Sequence, residues 1–112
     1  MRVLKIEPDK APIVINVANE LSVLQGLVGG YIEAVNFSPA VALIVDEEGK
    51  LKGKPYNFRS NGDDLCGVVL VVGVRGEDFC DLGGADLTWF RNWLPHLRWG
   101  HLHEPSGSCE GE

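Results

Sequence analysis

Leu27-Val28-Gly29-Gly30-Tyr31-Ile32-Glu33-Ala34-Val35 changes period at its glycine pair. Upstream, Leu21, Leu24, Leu27 and Val28 recur at helical spacing, and the helix they imply closes at Gly29 in the left-handed conformation that glycine adopts without penalty. Downstream the residues alternate as a strand does, which puts Tyr31 and Glu33 on one face. The second glycine permits a sharp turn or a close approach by another group. A helix that stops where a strand starts makes the chain α+β, and the junction is a candidate ligand site.

The flanking segments extend the same order. Val3 to Glu7 and Ile13 to Val17 alternate and are separated by Pro8-Asp9-Lys10, so they are expected to form a hairpin. Asn19 suits the N-cap of the short helix and Glu20 its positive end. After the Tyr31 to Phe37 strand, Val41, Leu43 and Val45 line a further one. Asp46-Glu47-Glu48-Gly49 then predicts a tight turn, with Lys50 to Lys52 returning antiparallel. Ser60-Asn61-Gly62-Asp63-Asp64 reads as a polar loop. Val68 to Val74 is apolar and β-branched, as in a central strand buried on both faces, and its Gly73 marks a bulge or a close approach. Leu87, Phe90, Leu94 and Leu97 predict a last helix that Pro95 kinks or ends. The expected fold is α+β: a small, mostly antiparallel sheet of five to six strands, one short helix after the second strand and a C-terminal helix. It occupies residues 1–99 as a single domain, with 100–112 a disordered tail.

A length of 112 residues and 45% hydrophobic content fit one globular core. No apolar run approaches the roughly 20 residues that span a bilayer, and the first residues lack signal-peptide character. A cytoplasmic protein without membrane contacts is the expectation. Cys66, Cys80 and Cys109 are an odd set without framework spacing, consistent with reduced thiols. A formal charge of −6 argues against stable nucleic-acid binding, which depends on lysine and arginine displacing counterions.

Charge is unevenly spread. Lys50, Lys52, Lys54 and Arg59 fall between positions 50 and 60 without one acidic residue, and the remainder carries six basic against sixteen acidic residues. On a strand, alternate lysines share a face and can meet the phosphates of a small ligand; a solvated edge strand guarded by lysines is the other reading. Tyr31 offers a ring for stacking, Glu33 an acceptor for an amine or ribose hydroxyl, Asn57 both edges of an amide, and Arg59 a fork for phosphate. With Lys50 and Lys52 they make a candidate ligand-binding set for a phosphorylated, nucleotide-like molecule. In the structural alternative Tyr31 packs over the sheet and Arg59 pairs with Asp63 or Asp64.

Catalytic sets are thin. Cys80 lies beside Asp81, but the histidines (His96, His101, His103) sit in or near the expected tail, so no catalytic residue is assigned. His101 and His103 with Cys109 lack structural zinc spacing, and neither a metal nor a cofactor is expected. The acids of the 46–48 and 77–81 turns read as solvated.

Met1 to Pro8, Leu24-Gln25 with Val28 to Val35, Ala42-Leu43-Ile44 with Glu47 to Leu51, Gly53 with Pro55 and Asn57, and Gly76 to Phe79 together resemble a domain-of-unknown-function family, number 3846, over about residues 1–82. The resemblance implies a small protein of bacterial phages and mobile elements. The expected function is then noncatalytic: binding and sequestering a nucleotide-like immune signal, as anti-defence. The alternative is an interaction protein that inhibits a host defence or restriction protein, and a small enzyme ranks third. Trp89, Trp93 and Trp99 crowd eleven positions, more indole than a small core absorbs, and predict a homo-oligomer.

Overall fold

The computed structural model describes residues 1–99; the tail expected over 100–112, with His101, His103 and Cys109, lies outside the described residues. The order is β1 (Arg2–Ile6), β2 (Ile13–Asn16), α1 (Leu21–Val28), β3 (Ile32–Ser38), β4 (Val41–Asp46), β5 (Tyr56–Ser60), β6 (Asp63–Cys66), β7 (Val69–Arg75), β8 (Asp78–Cys80) and α2 (Gly84–Trp99). Six strands form one antiparallel sheet in the order β2-β1-β7-β4-β3, with β8 paired to β7. β5 and β6 form a separate hairpin.

Two apolar layers sandwich the sheet. Ala42, Ile44, Leu70 and Val72 point to one side, where Leu24 and Val28 of α1 cover them. Leu43, Val45, Val69 and Val71 point to the other, under Phe90 and Leu94 of α2 and under Phe58 and Leu65 of the β5–β6 hairpin. This is why β4 and β7 read as unbroken apolar runs: both of their faces are core. Gly73 of β7 has the backbone carbonyl of Asp81 packed where a Cβ would stand, the close approach its sequence suggested.

The structure corrects four local readings. Glu20, not Asn19, is the N-cap of α1 and makes no side-chain cap bond; the Asn19 amide donates instead to the Phe79 carbonyl at 3.1 Å, tying the loop to β8. Lys50 to Lys52 do not return as a strand. Consecutive turns occupy 47–53, held by Lys52 N–H to Glu48 O and Lys54 N–H to Gly49 O. The polar loop over 60–64 is a two-residue hairpin turn, because Asn61 and Gly62 both take positive φ (52° and 79°), the pairing that matches strand twist. Finally, Pro95 does not end the last helix, which runs on to Trp99.

Arg98 locks α2 onto the rest. Its buried guanidinium donates to the carbonyls of Glu7 (2.6 Å), Lys10 (2.8 Å) and Asn57 (3.1 Å) and to Asn57 Oδ1 (2.9 Å). Burial pushes its pKa down, while these four acceptors occupy four of its five N–H donors.

Candidate functional site

Asp46 ends β4 with its side chain 1% exposed. Its carboxylate takes Lys54 Nζ at 2.7 Å, Lys52 Nζ at 2.9 Å and the Glu48 N–H at 2.9 Å. The same two ammonium groups donate onward to the last carbonyls of α1: Lys54 to Val28 O (2.8 Å) and Lys52 to Gly29 O (3.1 Å). Cations at a helix C-terminus satisfy its orphan carbonyls and complement its dipole. Burial alone raises the Asp46 carboxyl, but the hydrogen bonds from Lys54, Lys52 and Glu48 outweigh it and hold the pKa at about 2.

This cluster explains the glycine pair. A Cβ at Gly30 would stand 2.6 Å from Lys52 Nζ and 2.7 Å from Asp46 Oδ1, and one at Gly29 would stand 2.8 Å from Lys54 Nζ. Gly29 also takes φ of 85°, closing α1 in the left-handed region as expected. The junction is therefore shaped around two lysine side chains packed under the helix end.

The six sequence-predicted ligand residues do not converge on one site; only Glu33 and Lys50 share a cleft. Glu33 and Lys50 meet on the wall of a cleft of about 150 Å³ between the β3–β4 edge and β6, which Val45, Asp63, Asp64 and Leu65 also line. Tyr31 precedes β3, 71% exposed and outside that lining. Lys52 belongs to the Asp46 cluster, and Arg59 pairs with Asp64 at 2.9 Å, the partner considered for it from sequence. Asn57 is in the interior: its amide donates to Ile6 O and Gly67 O, both at 2.8 Å, and its oxygen accepts from Arg98. Lys50 is held by Asp63 at 2.8 Å. Among the described residues five carboxylates and one lysine line the cleft, and their field favours a cationic or neutral group over a phosphate.

A second surface was legible only as a run of tryptophans. Phe37 of β3 packs against Trp89 and Phe90 of α2 at ring distances of 5.4 and 4.8 Å. Trp89 stacks on Trp93 (6.2 Å, 23° between planes), and Trp93 contacts His96 at 4.8 Å. Phe90 is fully buried beneath them, yet Trp89 and Trp93 remain 38% and 47% exposed. The result is a partly exposed aromatic ledge. Trp99 closes α2, and its side chain lies outside the described residues.

Other candidates are occupied. Asp81, beside Cys80, accepts the Arg2 N–H at 2.7 Å. Cys80 is a free thiol; Cys66 is disulfide-bonded, which corrects the reduced state expected for it. Among the described residues no group of three or more His, Cys, Asp or Glu is placed to hold a metal, and no helix is long and apolar enough to cross a membrane.

A family model described as a domain of unknown function (DUF3846) matches residues 1–94. The match runs past residue 82 into α2, so Trp89 and Trp93 fall within it. No curated protein and no solved structure gives a significant match.

Proposed function

The chain belongs to the DUF3846 family, and from that premise we propose that it is a noncatalytic binding protein that docks on a protein partner through the Phe37–Trp89–Trp93 ledge. The observation that carries this reading is the pair of stacked indoles left half exposed on a buried Phe90. Rigid aromatic side chains anchored from below lose little entropy on binding and are the commonest hot-spot anchors. The net charge of −6 matches a partner with a basic rim around an apolar pocket. The family resemblance, through the phage and mobile-element setting it implies, favours a partner from the bacterial host, with inhibition of a defence or restriction protein as the proposed consequence.

The test has two steps. A partner is captured from host lysate on the immobilised protein, then purified and titrated against the wild type and against Trp93→Ala and Trp89→Ala. Loss of at least about tenfold in affinity with either variant is expected. Equal affinity for all three proteins would remove the ledge from the interface.

A nucleotide-like ligand, sequestered through the exposed Tyr31 outside the cleft and through Glu33 and Lys50 on its wall, is the second reading. The exposed Tyr31 ring favours it, as does Lys50, whose pair with Asp63 leaves both side chains more than half exposed and open to exchange. Calorimetry against linear and cyclic nucleotides, with Tyr31→Ala and Lys50→Ala as controls, distinguishes the two: heat lost in both variants supports the ligand, and no heat with any nucleotide removes it.

A further inference from the structure

We propose that two copies of the chain pair through β2, edge to edge and antiparallel, into one continuous sheet. Among the described residues β2 ends the sheet, and no strand pairs with its outer edge. Which of its backbone groups are free follows from the register. Met1 and Val17 exchange both backbone bonds, and Val3 opposite Ile15 and Lys5 opposite Ile13 follow at steps of two. In an antiparallel ladder such pairs alternate with pairs whose polar groups face outward. Val14 and Asn16 therefore direct their N–H and C=O away from β1. The opposite side of β1 agrees: Arg2 gives its N–H to Asp81 and its C=O to Leu82 N–H, both away from β2.

A two-fold axis through Ile15 satisfies this edge with itself. Val14 faces Asn16 of the other copy on each side of the axis, giving roughly four hydrogen bonds. Ile15 then meets Ile15, and Ile13 meets Val17. These residues share the α1 side of the sheet, where Ile15 and Val17 already pack against the Val3–Leu24–Val28 core, so the two apolar layers would join across the axis. Ile13, 49% exposed in the single chain, and the exposed Val14 and Leu21 would gain cover.

The two ends of the sheet are not equivalent. β3 carries Glu33, a register shift between Asn36 and Ser38, and Pro39 directly after it, beside the carboxylates of the cleft. Charge, irregularity and proline are the devices that stop edge pairing. β2 has a proline, Pro12, directly before it, but its four residues, Ile13-Val14-Ile15-Asn16, carry no charge and no register shift. A second copy is also the partner whose edge matches in register, apolar pattern and hydrogen-bonding polarity without an ordering cost.

The experiment is sedimentation of the full chain from about 1 to 100 µM, with Val14→Pro, Trp93→Ala and the wild type. Proline at 14 deletes an outward N–H and leaves the bonds to β1 in place. The expected result is a wild-type species of twice 12.2 kDa, retained in Trp93→Ala and weakened at least about tenfold in Val14→Pro. Should Val14→Pro fail to fold by circular dichroism, wild-type hydrogen exchange decides, because the Val14 and Asn16 amides should gain protection as concentration rises. A monomer at every concentration, a dimer indifferent to Val14→Pro, or a dimer lost in Trp93→Ala alone would overturn the proposal. So would protection of those two amides independent of concentration, which would mean that the chain's own residues cover the edge.

Discussion

Asp46 shows how one carboxylate can set the sequence around it. It draws Lys52 and Lys54 together, and their ammonium groups close α1, so Gly29 and Gly30 have to lack side chains. Asp46→Asn keeps the shape but removes the charge, and should destabilise the fold by about 2–3 kcal/mol in urea unfolding. The pH dependence has a definite sign. With a folded pKa of about 2 against an ordinary 3.8, the group stabilises the fold above pH 3.8, and that contribution is lost as pH falls towards 2. Urea midpoints between pH 5 and pH 2 should therefore fall less steeply in Asp46→Asn than in the wild type. Gly30→Ala should push Lys52 off Asp46 and cost about 1–3 kcal/mol, whereas Gly26→Ala, with nothing near its Cβ position, should be neutral or stabilising.

At the scale of elements, the turn chemistry is local and the cross-links are not. Asn61-Gly62 is a hairpin signal in two residues, and its positive φ angles follow from side-chain sterics alone. Gly62→Ala should cost about 1 kcal/mol in thermal unfolding, since φ of 79° strains any residue with a Cβ. Arg98 is different in kind. Its acceptors at Glu7, Lys10 and Asn57 lie 41 to 91 positions away, and no spacing rule connects them. Arg98→Lys cannot reproduce the fork; faster amide exchange in the last turn of α2, together with a loss of about 2 kcal/mol, is the expected outcome. An unchanged exchange pattern would mean that Leu94 and Leu97 alone hold that turn down.

For the whole molecule, stability and recognition sit on different surfaces. Trp93 is half exposed while Phe90, packed under the neighbouring Trp89, is fully buried. Trp93→Ala should then leave thermal stability within about 1 kcal/mol while weakening partner binding, whereas Phe90→Ala should cost about 3–5 kcal/mol. Equal losses of stability in the two variants would make the ledge part of the core.

The sequence by itself determined the helix-to-strand switch at Gly29, the β1–β2 hairpin and the doubly buried β7, because periodicity and glycine sterics act within a few residues. Only the tertiary structure decided what the charged and polar residues do. Lys52 and Lys54 read as a ligand-facing stripe, but packing of α1 against β4 brings helix carbonyls and Asp46 within reach of both. Asn57 read as a ligand contact, yet the fold buries it beside Arg98. A charge in a sequence has no partner until the chain closes, and the energy of an ion pair depends on burial and distance, which are properties of the packed molecule.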